Sequence, residues 1–332
     1  MLGPMNATLV VIILSLCILL YVRRFWFWMP ERLPGGRPEP DPLKLELVGV
    51  LTCLVVVVLR CGTAGTVPSE PSGLAASSYH SDVFWTHDDS GGDAELFAVN
   101  REGTLLGAFK VVGANAIDWE ALASDGKGTL FVADVGNNQN RRRDLVVYQV
   151  AEPRFDLSDE VVTGSTSVQK SIRFFYPEQL AFPDESAKNF DAEALFWDAG
   201  RLYLLTKHRS DMSTTLYALP DKESVPPLPA RKIAVFDVGG NPENFGGRVT
   251  GADLSVDGRF LAVLTYHAIF IFHRPSSGEN FISNLIHRID LDQEVCGQIE
   301  GIAWDGEALL FNNEDGDVFR VTSPLTHNET FP

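Results

Sequence analysis

Apolar and polar positions alternate along most of residues 70–322, in short runs separated by polar, Gly-containing turns. The runs are rich in Val, Ile, Phe, Tyr and Thr, so their period-two alternation predicts β-strands. One three-residue pattern recurs where each group of runs opens. It reads Ser72-Gly73-Leu74, Glu120-Ala121-Leu122, Glu193-Ala194-Leu195, Thr250-Gly251-Ala252 and Glu300-Gly301-Ile302, at spacings of 48, 73, 57 and 50 residues.

The first group predicts strands at Gly73–Ser77, Val83–His87, Glu95–Asn100 and Leu105–Val112. The second gives Glu120–Ser124, Thr129–Asp134, Leu145–Val150 and Ile172–Tyr176, and the third Glu193–Trp197, Arg201–Thr206, Thr214–Leu219 and Lys232–Val238. The fourth gives Gly251–Ser255, Phe260–Thr265, Ile269–His273 and Leu285–Leu291, and the fifth only Glu300–Trp304, Ala308–Asn312 and Asp317–Val321. Asp125-Gly126, Asp198-Ala199-Gly200, Asp257-Gly258 and Asp305-Gly306 fall between first and second strands. Asp-Gly supplies the positive φ that a tight hairpin needs.

A period near 50 residues built of short strands marks a β-propeller, whose blades gather equivalent positions around one axis. The expected fold is all-β, with five four-stranded blades. The long interval between blades 2 and 3 leaves room for a sixth, although Asp156–Ser167 reads as an inserted polar loop. The last blade lacks a fourth strand. Thr63–Val67 is expected to supply it and close the ring, removing exposed sheet edges. The Gly or Ala in each copy suits innermost strands that converge on the axis.

Residues 1–62 read differently. Thr8–Val22 is apolar apart from Ser15 and Cys17, and Arg23-Arg24 and Phe25-Trp26-Phe27-Trp28 follow as interface anchors of a membrane segment. Pro30–Pro42 is a Pro/Gly-rich linker, and Leu45–Leu59 a second apolar run. Basic residues between the runs place that loop in the cytoplasm and residues 63–332 outside it. Two other readings stand beside this one. Lys44, Leu47–Leu59 and Gly62-Thr63-Ala64 are similar to a signal peptide with its cleavage site, and Cys61 is a candidate lipid-bearing cysteine. All three put a 63–332 propeller domain outside the cytoplasm, held at the membrane or released by cleavage.

Charge narrows the partners. Residues 1–62 hold six Lys/Arg against four acids, net +2, so the chain's −17 leaves −19 for residues 63–332. Such a domain repels phosphate backbones, which excludes nucleic acid as a main partner. It suits cations, or simple solubility. Four cysteines make no disulfide framework.

In an antiparallel meander the start of strand one and the end of strand two lie on one face. Asp118, Glu120, Asp191, Glu193, Asp253 and Glu300 therefore meet His87, Asp88, Asp89, Asp134, Asn137, Asn138, Lys207, His208, Tyr266, His267, Asn312, Asn313, Glu314 and Asp315. Carboxylates crowded round one axis repel one another unless something offsets them. Ca²⁺, which accepts about six to eight oxygens in flexible geometry, is the expected ion. Asp118 and Asp191 stand among the candidate ligands with Glu120, Glu193 and Glu300. The alternative is structural: acids at strand starts accept backbone N–H groups and tie blades together. His87, His208 and His267 are not at zinc-motif spacing.

Ser72-Gly73-Leu74-Ala75-Ala76-Ser77, Phe84-Trp85-Thr86-His87-Asp88-Asp89-Ser90-Gly91, Asp118-Trp119-Glu120-Ala121-Leu122 and Asp134-Val135-Gly136-Asn137-Asn138 resemble bacterial extracytoplasmic β-propellers. The resemblance covers roughly residues 70–325, and some of those proteins are grouped loosely with phytase-like and gluconolactonase-like propellers. Phytase-like propellers hydrolyse phosphate esters with calcium held by acids at the channel. That likeness implies Glu120, Asp134, Glu193 and Glu300 as ligands, with Lys207, Arg209 and Arg141–Arg143 as cationic groups for phosphate. Gluconolactonase-like propellers hold one divalent ion with Glu, Asn and Asp. Glu300-Gly301-Ile302-Ala303-Trp304 resembles part of their opening motif, and Asn137 or Asn138 with Asp134 would complete a set. Both families have six blades.

The expected function is a membrane-anchored or exported module that binds a protein or small-molecule ligand, with a divalent cation at its channel. The alternative is a calcium-dependent hydrolase of phosphate esters or lactones. There a metal-activated water attacks, and His87 or His208 moves protons.

Overall fold

The computed structural model describes residues 58–63, 68–89, 91–240, 247–322 and 324–325. The membrane, linker, signal-peptide and lipid-bearing Cys61 readings rest on residues 8–64, of which only 58–63 are among the described residues. Among the described residues no helix is long and apolar enough to cross a membrane. They hold one short α-helix, α1 (Gln293–Cys296), and are otherwise strands and turns.

The chain folds as consecutive antiparallel meanders. β1 (Val58–Thr63) comes first. β2 (Pro71–Ala76), β3 (Phe84–Asp88), β4 (Glu95–Val99) and β5 (Leu105–Val112) form one meander. β6 (Trp119–Ser124), β7 (Thr129–Asp134), β8 (Val146–Ala151) and β9 (Val162–Phe175) form the next. β10 (Asp191–Asp198), β11 (Arg201–Lys207), β12 (Ser213–Ala218) and β14 (Arg231–Asp237) follow, with the two-residue β13 (Leu228–Pro229) set against β9. Then come β15 (Val249–Leu254), β16 (Phe260–Thr265), β17 (Ala268–His273) and β18 (Leu285–Asp290). The last sheet runs β19 (Ile299–Asp305), β20 (Ala308–Asn313), β21 (Asp317–Val321) and then β1.

The first strands of the meanders are mutual neighbours. β2 packs beside β6, β6 beside β10, β10 beside β15, β15 beside β19, and β19 returns to β2. Burial falls outward from them. β6 and β10 are buried almost throughout, while β14 and β18 are largely exposed or half-buried. Strands covered on both faces read as continuous apolar runs, and outer strands as mixed ones.

The apolar core lies between neighbouring meanders. Ala121, Phe131 and Val147 pack with Leu195, Leu204 and Tyr217 in one cluster. Leu205 and Leu216 pack with Val263 and Phe270 in another, and Leu74 and Phe84 with Ala303 and Leu310 in a third. Each fully buried Leu or Phe contributes roughly 1.5–3 kcal/mol of transfer free energy. On the face of the first hairpins, polar ties repeat the same join. Arg274 reaches Asp198 at 2.6 and 2.7 Å, and Arg101 reaches Asp305 at 2.7 and 2.5 Å. Glu152 accepts Ser77 Oγ at 2.5 Å and Ser78 N at 3.0 Å. In each case the hairpin of one meander meets the end of the third strand of the next.

Two expectations are corrected. Asp156–Ser167 is not wholly a loop, because β9 begins at Val162 and runs 14 residues. Its first half pairs in parallel with β5, from Gly107↔Val162 to Val112↔Ser167, and its second half pairs antiparallel with β8. It is polar because many of its side chains face solvent, and the polarity disguised its β-branched content. The strand beyond β21 is Val58–Thr63 rather than Thr63–Val67. Its apolar start merges with the run assigned to the membrane.

Candidate functional site

A β-bulge in the first strand of several meanders builds the site. Register with the second strand skips between Trp119 and Ala121, Ala192 and Ala194, Val249 and Gly251, and Ile299 and Gly301. The extra residues are Glu120, Glu193, Thr250 and Glu300, the lead residues of the recurring pattern. A bulge re-aims one side chain and bends the strand. In β2 the skip runs from Ser72 to Ala75, and Ser72 Oγ donates to Glu120 O at 3.3 Å.

The small residue after each bulge lets the strands converge. Gly73, Ala121, Ala194, Gly251 and Gly301 line a single cavity of about 10 Å³. A Cβ on Gly301 would lie 2.6 Å from the carbonyl carbon of Gly73, so no larger residue fits there without a shift. The converging strands leave no room at this level for anything larger than a water or an ion, so a ligand of the carboxylates must reach them from their own end of the strands.

The carboxylates do come together. Glu120, Asp191 and Glu193 each bring one oxygen within 4.8 Å of the others, and so do Asp89, Asp118 and Glu120. Glu120 belongs to both groups. Gly136 makes room for them: a Cβ there would sit 2.3 Å from Asp118 Oδ2 and 2.4 Å from Glu120 Oε1. Glu120, Asp191 and Glu193 are buried.

Three cations answer part of this charge. Lys207 Nζ lies 3.0 Å from Glu193 Oε1 and donates to the Tyr266 hydroxyl at 3.0 Å. Tyr266 donates onward to Glu300 Oε1 at 3.1 Å. Arg209 donates to Asp191 Oδ2 at 2.8 and 3.1 Å and also reaches Asn138. Arg142 pairs with Asp134 at 2.8 Å and donates to Gly136 O. Asn137 holds the connecting loop, accepting Arg141 N and Arg142 N and donating to Phe190 O.

Burial first, and the remaining excess of negative charge after it, raise carboxyl pKa values. Burial, with the neighbouring charges of Asp89 and Asp191, pushes Asp118 to about 6. Burial pushes Glu193 to about 8 against the pull of Lys207, and Glu300 to about 7. Glu120 is driven well above the carboxylate range by burial and by Glu193 and Asp191. Its carboxyl hydrogen-bonds Glu193, so a proton is retained within the pair.

The other expected site residues are placed differently. Asp134 is buried, engaged by Arg142 and by the backbone N–H of Asp118. Asp253 accepts Trp304 N at 2.8 Å, a tie between β15 and β19. His87 is fully buried and its Nδ1 lies 2.9 Å from Asp88 O; burial lowers its pKa to about 4, so it is neutral. Both nitrogens of His208 are occupied, by Asp211 at 2.6 Å and Thr215 at 3.1 Å. Among the described residues, the groups positioned to hold an ion contain no histidine.

Sequence reasoning missed Thr250. Its hydroxyl is fully buried, has no hydrogen-bond partner, and lines the same cavity as Glu193. The signal was present: Thr250 stands where other copies of the pattern have Glu. No family model matches this chain, and no curated protein sequence matches it.

Proposed function

We propose that residues 58–325 form a five-bladed β-propeller, closed by β1, that binds a divalent cation, Ca²⁺ first, at the bulged ends of its inner strands. The protein serves as a ligand- or protein-binding module outside the cytoplasm, held or delivered there by its N-terminal segment.

The observation that carries the cation is the pair of carboxylate triplets that share Glu120. The unpartnered Thr250 hydroxyl, which lines a cavity together with Glu193, supports it. Asp89, Asp118, Glu120, Asp191 and Glu193 are all-oxygen donors, which suits a hard cation with flexible coordination. Glu300 contributes through Tyr266 and Lys207, and Asp134 through Arg142, as supports rather than ligands.

Binding is favoured over hydrolysis for a chemical reason. A phosphate ester needs cationic groups to spare, yet of the cations expected to hold one, Lys207, Arg209 and Arg142 already pair with an acid, which leaves only Arg141 and Arg143 of that set. A hydrolase also needs a base beside the metal, and neither carboxylate triplet includes a histidine: both nitrogens of His208 are hydrogen-bonded, and His87 is fully buried with Nδ1 against Asp88 O.

The test is a thermal melt of the full chain in chelator and across a Ca²⁺ titration. An ion that binds the native state raises Tm by mass action. A saturable rise, lost in Glu120→Gln and Glu193→Gln, is the expected result. No rise, with both variants folded, removes the ion and leaves a scaffold. Turnover of a phosphate ester or lactone that depends on Ca²⁺ would replace the binding reading with the hydrolase.

A further inference from the structure

We infer a second binding site, between the second and third meanders on the face of the first hairpins, that takes one neutral, hydroxyl-rich ring of the size of a single pyranose sugar. It is independent of the cation site.

Among the described residues, the join between the second and third meanders lacks a charged tie to its hairpin. At three of the five joins Glu152, Arg274 and Arg101 follow the third strand and grip the neighbouring hairpin. After β12 the corresponding residues are Leu219 and Pro220, which offer no charge to the hairpin Asp125-Gly126. The space that an ion pair would fill stays open, as a cavity of about 190 Å³. Drug-sized ligands occupy sites of roughly 300 Å³ and more, so this one suits a single ring.

The lining defines the chemistry. Buried Phe131 and Leu202 form an apolar floor, and Trp197 is a half-buried aromatic wall. Its ring already attracts a cation, the Lys127 ammonium 5.7 Å from the centroid. Asp125, Gln149 and Lys170 supply the polar wall. Asp125 is fixed, accepting Lys127 N at 2.8 Å and Thr129 N at 2.9 Å. Lys170 is fixed by a 2.8 Å bond to Asp221 O.

A carboxylate accepts, an ammonium donates and an amide does both. Acidic and basic groups stand on one wall, which disfavours a ligand carrying a net charge of either sign. A molecule with an apolar C–H face for Trp197 and hydroxyls that donate and accept round its edge meets every group. A pyranose has that shape, and tryptophan gives such a face a large rigid contact.

The experiment is saturation-transfer NMR on the full chain with glucose, galactose, mannose and N-acetylglucosamine, in buffer and detergent free of sugar groups. At least one sugar is expected to receive saturation from the protein. Trp197→Ala should weaken that sugar's binding about tenfold, and Gln149→Ala should weaken it while keeping the strand intact. Glu193→Gln should leave it unchanged, which separates this site from the cation site. Absence of transfer to every sugar, or equal transfer in wild type and in both pocket variants, overturns the proposal.

Discussion

Lys207 decides the energetics of the axial cluster. Its ammonium is buried, and Glu193, Tyr266 and, through Tyr266, Glu300 depend on it. Removing one member of a buried charged pair typically costs about 3–5 kcal/mol, because the other is left uncompensated. Lys207→Met should therefore destabilise by about that much in urea melts above pH 8, where Glu193 is ionised, and adding Glu193→Gln should recover part of the loss. Thr250 tests the same site from the neutral side. A buried hydroxyl without a partner costs about 1–3 kcal/mol. Thr250→Val should raise Tm in chelator and diminish the gain from Ca²⁺; a variant that leaves both unchanged excludes the hydroxyl as a ligand. The carboxyls predict a pH dependence of definite sign. Asp118 at about 6, Glu300 at about 7 and Glu193 at about 8 hold protons more tightly folded than unfolded. Their contribution is complete below about pH 4 and is lost as pH rises through 6 to 8. In chelator, Tm should fall across that window, and Glu193→Gln should flatten the fall. Saturating Ca²⁺ should reverse the slope, because a cation that displaces protons binds better as pH rises. A Tm that is flat from pH 6 to 8 without metal would show that these groups titrate normally.

At the scale of strands, the recurring three-residue pattern was legible and its meaning was only half so. Glu120, Glu193 and Glu300 announce a repeat, and the small residue that follows announces close packing. The bulge that turns each of them does not show in alternation, since one extra residue is invisible until a partner strand gives it register. The cations are legible in the sequence, but their partners are not, for a related reason. Lys207 comes from β11, while Arg209 and Arg142 come from loops, and each meets its acid only through the fold. The first part of β9, Val162–Ser167, reads as loop because polarity and exposure are alike at the level of composition, while Ile172–Phe175 reads as strand. The inner strands also make a prediction. Gly301→Ala would place a Cβ 2.4 Å from the Asn312 side-chain Oδ1, and 2.6 Å from Gly73 C and 2.8 Å from Leu74 N, backbone atoms that cannot rotate away. Urea melts should show a loss of about 1–3 kcal/mol, the usual cost of overpacking. A loss below 0.5 kcal/mol would mean that β19 and β2 are less closely apposed than this geometry has them.

For the whole molecule, closure is the property on which the rest depends. β19 lies against β2, but that contact joins residues more than two hundred positions apart, and bringing such ends together costs chain entropy. Two devices hold the join. Arg101 grips Asp305 through two nitrogens, and β1 completes the sheet that β19, β20 and β21 begin. Without β1, β21 would be an open edge with unpaired N–H and C=O groups. Hydrogen exchange reads this directly, because amides in a closed sheet exchange only on opening. Replacing residues 58–63 by a Gly-Ser stretch should therefore strip protection from Asp317–Val321 first, while β11 and β16, central in their own sheets, keep theirs. Asp305→Ala should produce the same pattern in weaker form, since it loosens the join and leaves β1 paired. Uniform loss of protection across all sheets would instead mean that the ring opens as one cooperative unit, and that closure stabilises every meander equally.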